Sequence, residues 1–183
     1  TLRLTDGPQA RRSLSVSVFR SDVQDYVDAD LIASLAAGFV RLRFANHDAL
    51  LQGFEVSGRS ELWTIGGFAP AVLSGQVSFV QGENRDTGDD LYHMSPLTAR
   101  FSLEQPLGEW TVIGDLELVD RKDAVNGLRH EPVTDSYQLF NLRAVWRPTT
   151  ALRIDLAVEN AFDEASDLPL GGVSYGDYKA GGS

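Results

Sequence analysis

The chain has 183 residues and a net charge of −10, because 26 Asp and Glu outnumber 16 Lys and Arg. Phosphate recognition needs a basic face, so this charge argues against a nucleic-acid partner. The chain has no cysteine, which excludes disulfides and thiolate metal sites. Its apolar runs fall short of the ~18 residues that a membrane helix needs.

Alternation of apolar and polar residues predicts seven β-strands along the chain. The first six cover the ranges 12–28, 38–62, 71–83, 96–105, 109–121 and 136–147. The seventh has the clearest pattern, and its apolar face carries Leu152, Ile154, Leu156 and Val158. The predicted fold class is therefore all-β, an antiparallel up-and-down meander.

The predicted connections alternate between short turns and long polar loops. Turn residues such as proline and glycine mark short connections at 105–109 and 147–151, with a somewhat longer one at 63–70. The long polar connections are at 84–95, 121–136 and 163–183. Short turns on one side and long loops on the other are typical of a transmembrane β-barrel.

Aromatic residues near the strand ends agree with this topology. The tryptophans lie at the short-turn ends of predicted strands, as Trp63, Trp110 and Trp146. Near the long-loop ends are Tyr92, Tyr137 and Phe162. We interpret these two groups as the aromatic girdles of a membrane barrel. The alternative is that aromatic residues simply flank turns.

The apolar face of the predicted strands requires a partner, because each buried aliphatic side chain contributes about 1.5–3 kcal/mol. Outer-membrane lipid is one possible partner. The other is a second sheet in a soluble β-sandwich, a binding module recognising carbohydrate or protein. Strands near the ~9–11 residues that cross a bilayer favour lipid. The charged opposite face suits a lumen and carries Arg59, Arg100, Arg143, Arg153, Glu55, Glu104, Glu117 and Glu159.

Several segments resemble TonB-dependent outer-membrane receptors. Residues 137–163, YQLFNLRAVWRPTTALRIDLAVENAFD, resemble the penultimate hairpin of these receptors, with Ala161 where their N-L-F-D-like motif usually has leucine. VFRSDVQDYVDADLI (18–32) and FANHDALLQGFEVSG (44–58) resemble two earlier strands of the family. PLGGVSYGDY (169–178) resembles the final extracellular loop of some members.

The resemblance implies about seven strands of a 22-stranded barrel in the outer membrane of a Gram-negative bacterium. In such receptors a plug domain fills the barrel, and TonB supplies energy for uptake of a scarce nutrient chelate, which the resemblance implies is an iron–siderophore here. Residues 1–183 would be the C-terminal barrel segment, with the plug domain and last strand absent. The odd number of predicted strands also indicates a fragment, because bacterial barrels have even strand numbers.

In this family the extracellular loops contact the ligand, which makes loop residues the candidate binding residues: His93, Met94, His130 and Tyr175. His93 and Met94 together would also suit a soft metal such as copper, although Met94 is more simply an ordinary loop residue. His47 with Asp48, and His130 with Glu131, are either ligand contacts or solvated loop charges. We predict no cofactor and no resident metal.

An enzyme is the third hypothesis. Asp115 and Glu117 lie on one strand face and in a jelly roll would perform glycosidase acid–base chemistry. In a barrel the same carboxylates line the lumen beside Arg100 and Arg143 as ion pairs, which is the preferred interpretation. No G-x-S-x-G element indicates a hydrolase, so we predict that the chain is not an enzyme and has no catalytic residue.

Overall fold

The computed structural model describes residues 1–6, 11–34, 40–167 and 169–170. These residues form one antiparallel sheet whose strands follow the chain order. The strands are β1 (Leu2–Thr5), β2 (Arg12–Ser34), β3 (Val40–Glu61), β4 (Val72–Asn84), β5 (Thr98–Leu107), β6 (Trp110–Val119), β7 (Tyr137–Thr149) and β8 (Leu152–Val158). A 3-10 helix, Gly127–Arg129, lies between β6 and β7. Within the described ranges, no helix is long and apolar enough to span a membrane.

One face of the sheet is apolar across all eight strands. The register aligns cross-strand rows such as Val18–Phe54–Phe79, Val56–Val77–Ala99–Leu118 and Phe101–Leu116–Phe140. This face is open to its surroundings, since Val18 is 74% and Leu156 is 59% exposed. Nearest-neighbour pairing in a single sheet, with no second sheet in the described part of the chain, makes the β-sandwich hypothesis wrong.

The apolar face forms a belt across the strands. This apolar belt ends at polar residues on one side and at tryptophans on the other. On the long-loop side the same face changes to Arg20, Gln52 and Gln81, which form one cross-strand row. On the short-turn side Trp110 and Trp146 pair across the strands, with stacked rings 5.5 Å apart. Along β6 the belt therefore covers about nine residues, close to the length of a tilted membrane strand.

The other face is polar and matches the predicted lumen. Glu55, Arg100, Glu117 and Arg143 all lie on it by register. Arg100 donates two hydrogen bonds to Glu117, of 3.0 and 3.3 Å. This bidentate pair is the arrangement that the barrel interpretation predicted for Glu117, and it leaves that carboxylate occupied.

The strand prediction was correct in number except at the N-terminus. β1 was missed because four residues are too few for alternation to be recognised, although Leu2 and Leu4 continue the apolar face beside Val16 and Leu14. β2 also continues to Ser34, whereas the prediction ended it at 28. A bulge between Val23 and Tyr26 inserts one extra residue and reverses the phase of the alternation.

The structure agrees with the girdle prediction for Trp110, Trp146 and Phe162 but not for Tyr92 and Tyr137. Trp110 and Trp146 occupy the short-turn rim, and Phe162 stacks on Phe140 at 5.6 Å on the apolar side. Tyr137 is instead buried on the polar face, paired with Val119. Tyr92 packs among the long loops, beneath Arg129. Strand register thus places Tyr137 on the lumen side, and loop packing holds Tyr92 away from the membrane boundary.

Candidate functional site

β2 and β3 continue as a long two-stranded extension past the row of Arg20, Gln52 and Gln81 that bounds the apolar belt. We call residues 21–34 and 40–51 the hairpin extension; their ladder continues from Ser21–Leu51 to Ser34–Val40. At ~3.3 Å per residue it reaches on the order of 40 Å beyond the belt. It supports two long connections, loop A (85–97) and loop B (120–136).

Loop A folds over the polar face of β4. Gly82 lies on that face, opposite Leu51. A side chain on Gly82 would collide with loop A, because its Cβ would lie 2.8 Å from Leu91 Cδ1 and 2.9 Å from Met94 Sδ. Leu91 is fully buried in this contact. Loop A thus covers the same side of the sheet that carries the lumen charges below it.

Loop B is organised by a buried ion pair between Lys122 and Glu131. Their side chains are 2% and 1% exposed. Glu131 Oε2 accepts a 2.8 Å hydrogen bond from the Asn126 backbone N–H. Glu131 Oε1, which pairs with Lys122, also accepts a 3.0 Å hydrogen bond from the His93 backbone N–H in loop A. Glu131 therefore neutralises a buried lysine and joins the two loops.

Arg129 ties loop B to the hairpin extension. Its Nη2 donates to Asp28 Oδ1 at 3.1 Å, and its guanidinium lies 4.8 Å from the centre of the Tyr92 ring and 5.9 Å from that of Phe44. The buried Asp28 accepts a second hydrogen bond, of 3.1 Å, from Asn84 Nδ2 at the end of β4. Charge-assisted hydrogen bonds and cation–π contacts of this kind fix the loops relative to the strands.

His47 occupies a similar bridging position in the hairpin extension. Its Nε2 lies 2.8 Å from Asp30 Oδ1 and its Nδ1 lies 3.2 Å from Asp86 Oδ2 in loop A. Burial opposes the charged form, but the hydrogen bonds with the two carboxylates outweigh it and raise the pKa of His47. Solvated loop charge, one of the two sequence interpretations of His47, is therefore wrong.

A cleft of about 270 Å³ opens between loops A and B above β4. Its lining includes Gln81, Met94, Pro96, Asp90, Asp120 and Lys122. Burial raises the pKa of Asp90, and the nearby carboxylates of Glu83, Asp89, Asp123 and Glu131 raise it further. The cleft is thus an acidic, partly apolar recess with one thioether.

The predicted binding residues that the structure describes lie in different environments. Met94 lines the cleft, with its sulfur packed toward Gly82. His93 is exposed and stacks on the Tyr92 ring at 3.9 Å. His130 is exposed at the end of the 3-10 helix, in the left-handed conformation with φ of 52°. Tyr175 lies outside the described residues.

Other chemistry considered from sequence finds little geometric support. The described residues include no group of three or more His, Asp or Glu side chains arranged to hold a metal ion. Glu117 is held by Arg100 on the open polar face, which does not assemble the catalytic carboxylate pair of the enzyme hypothesis.

The charged contacts that hold the loops were not predicted from the sequence, although His47 and Glu131 were individually recognised as candidates. Asp28 and Arg129 are separated by 101 positions, and neither falls in a recognisable motif. The usable signal was the local phase change in β2. After the bulge, Asp28 and Asp30 lie on the same face of the sheet as His47. Uninterrupted alternation would place them on the opposite face.

Comparison with known proteins agrees with this architecture. Residues 2–161 match the family model described as TonB dependent receptor-like, beta-barrel. The chain therefore belongs to the β-barrel domain family of TonB-dependent receptors, as the sequence resemblance predicted. Barrels of this family lie in the outer membrane of Gram-negative bacteria, which agrees with the exposed apolar belt.

Among solved structures, the chain is similar to one titled "Copper transporter OprC", with a TM-score of 0.76 and 19% sequence identity. The alignment covers 90% of this chain and 26% of that chain, so the chain spans about a quarter of the transporter's length. This similarity shows the barrel fold. No protein in the curated collection matches the sequence. The family is one of receptors and transporters, and the iron–siderophore expectation is not confirmed by these comparisons.

Proposed function

We propose that residues 1–183 are the C-terminal barrel segment of an outer-membrane receptor that works with a plug domain and TonB to import a scarce nutrient. The principal support is the apolar belt across the eight-stranded meander, joined to a family match over residues 2–161. In this proposal the chain has no enzymatic activity, and further strands pair with the edges of β1 and β8.

An iron–siderophore is the first candidate for the nutrient, because the sequence resembles receptors that carry such chelates. Loops A and B would supply ligand contacts through Met94 in the cleft and through His93 and His130 on the loop surfaces, with Tyr175 as a further contact. The support for this placement is that loop A folds over the polar face, above the lumen charges, and that Glu131 joins loop B to loop A.

Copper is a second candidate for the nutrient. His93 and Met94 supply an imidazole and a thioether, ligands that suit copper, and the similar solved structure is titled a copper transporter. Met94 is partly buried and lines the cleft with its sulfur packed toward Gly82, whereas the exposed His93 ring stacks on Tyr92. The two candidates predict different transport substrates and different sensitive residues.

Uptake in whole cells tests both candidates. Cells producing the receptor should accumulate radioactive iron supplied as a ferric siderophore, and should lose this uptake when TonB is deleted. If copper is the nutrient, copper accumulation alone should depend on the receptor, and His93→Ala with Met94→Ala should abolish it. Receptor-independent and TonB-independent accumulation of both metals would contradict the proposed function.

A further inference from the structure

We infer that His47 is a pH-responsive latch that fastens the outer turn of loop A, residues 85–89, to the hairpin extension. The latch has three members: Asp30 on β2, His47 on β3 and Asp86 in loop A. Both ring nitrogens of His47 contact carboxylate oxygens, at 2.8 Å and 3.2 Å. The latch does not depend on which nutrient is transported, and this inference goes beyond the proposed function.

The geometry requires a positively charged ring. A carboxylate only accepts hydrogen bonds, and neutral imidazole carries a single N–H. Both contacts of His47 are therefore satisfied only when both ring nitrogens are protonated. The side chain is 12% exposed, so water has little access to replace a lost contact.

The surrounding charges favour the same protonation state. From β2, Tyr26 lies opposite His47 and Asp30 lies within hydrogen-bond distance. From β3, Arg43 donates to Asp30 at 3.0 Å. From loop A, Asp86 faces the ring, while the neighbouring Arg85 is paired with Asp22 at 2.8 Å. Asp28, the next acidic group on this face, is held by Arg129. The two carboxylates thus act on His47 without a competing free cation among these groups.

The two arms of the latch differ in strength. Asp30 is also held by Arg43 and makes the shorter contact with the ring. Asp86 makes the longer contact and is half exposed, and its remaining hydrogen bond comes from the Asp48 backbone N–H at 3.1 Å. When His47 loses a proton, the Asp86 arm is the one that opens. Residues 86–89 of loop A then become more mobile, while Arg85 stays attached to the hairpin extension through its backbone hydrogen bond to the Asp48 carbonyl oxygen and its ion pair with Asp22, both at 2.8 Å.

The direction of the pH dependence follows from the pKa shifts. The pKa of His47 is raised in the folded chain, so the latch is complete below the ordinary histidine value and is lost as pH rises through the raised value. The Arg43 hydrogen bond is the main cause that lowers the pKa of Asp30; burial opposes it and His47 adds to it. Asp30 therefore stays charged in mild acid, and the latch opens on the alkaline side.

A nitroxide spin label on loop A tests the latch directly. The chain has no cysteine, and the exposed Asp89 provides a labelling position, Asp89→Cys, in receptor assembled in outer membranes. We expect the label to be restricted at about pH 5 to 6 and to become freely moving toward about pH 9. In His47→Gln the label should stay mobile throughout and show no transition, because glutamine does not titrate and its single amide nitrogen cannot replace both ring nitrogens.

Two further variants complete the test. Asp86→Asn removes only the charge of the loop arm and leaves the hairpin extension unaltered, and it should also abolish the transition, because an amide can accept from the charged ring or donate to the neutral ring. His130→Asn is the matched control: asparagine tolerates the left-handed backbone of this exposed position, so the transition should persist. Label motion that does not change with pH in the parent receptor, or a transition that survives in His47→Gln or Asp86→Asn, would overturn the inference. The spin-label measurement does not involve uptake, so failure of the proposed function would leave this test of the latch unaffected.

Discussion

Buried charges at single residues hold the loops of this chain together. Lys122 and Glu131 are almost wholly inaccessible, and Glu131 also accepts backbone hydrogen bonds from both loops. Removing one partner of such a pair leaves an uncompensated buried charge, which costs about 3–5 kcal/mol. Exposed pairs contribute far less, typically about 0–1 kcal/mol. Glu131 is therefore the residue on which the folding of loop B most depends.

Glu131→Gln should loosen loop B while leaving the barrel strands intact. We expect trypsin to cleave after Arg121 or Arg129 at least about tenfold faster in receptor displayed on cells, because local opening exposes these bonds. Asp123→Asn, at an exposed position in the same loop, serves as the control and should cleave at the parental rate. Equal protection of Glu131→Gln and the parent would show that the buried pair is dispensable.

At the scale of the elements, close strand approach depends on Gly53 in β3. A Cβ at this position would lie 2.2 Å from the Phe79 carbonyl oxygen of β4, and 2.8 Å from the Phe19 ring. The first neighbour is backbone, so it cannot rotate away. This contact gives a physical reason for the glycine in segment 44–58, which resembles a receptor strand. Glycine here allows β2, β3 and β4 to pair where the hairpin extension begins.

Gly53→Ala should weaken the β3–β4 pairing by about 1–3 kcal/mol, the usual cost of overpacking. In β6, Gly114 offers a matched control, because a Cβ there would meet only the Phe140 ring at an ordinary 3.6 Å. We expect a lower unfolding temperature for Gly53→Ala, measured as heat-dependent loss of the folded band on gels, and little change for Gly114→Ala. Equal effects of the two substitutions would contradict the argument.

At the scale of the whole molecule, the assignment of the two sheet faces decides how the chain meets its surroundings. Leu103 and Ser102 are neighbours on β5 that point to opposite faces; Leu103 pairs with Leu73 and Gly114, and Ser102 with Ser74 and Asp115. Arginine on the lipid face near the bilayer midplane costs about 2–4 kcal/mol. The polar face places no such restriction on charge.

Leu103→Arg should reduce the amount of receptor assembled in the outer membrane, whereas Ser102→Arg should assemble normally. Assembly is measured as the folded receptor recovered in outer-membrane fractions, with total synthesis as the reference. The comparison is matched because it introduces the same side chain at adjacent positions. If Ser102→Arg fails and Leu103→Arg assembles, the face assignment is reversed.

Much of this architecture was predictable because strand periodicity is a local property. Alternation alone located seven of the eight strands and assigned residues such as Phe101 and Arg100 to their correct faces. Motif order, added to alternation, also predicted the family. The individual binding residues were less accessible, because loop residues such as His93 and His130 have no periodicity that specifies their neighbours.

The sequence by itself determined the two faces of the sheet and the order of its strands, since a period of two follows from strand geometry and each turn joins strands that are adjacent in the chain. Only the tertiary structure decided the positions of the loops. The bulge near Tyr26 reverses the facing of Asp28 and Asp30, and the partners of these residues come from Arg129, His47 and Arg43. Contacts of this kind depend on three-dimensional packing between distant segments, and no local pattern in the chain encodes them.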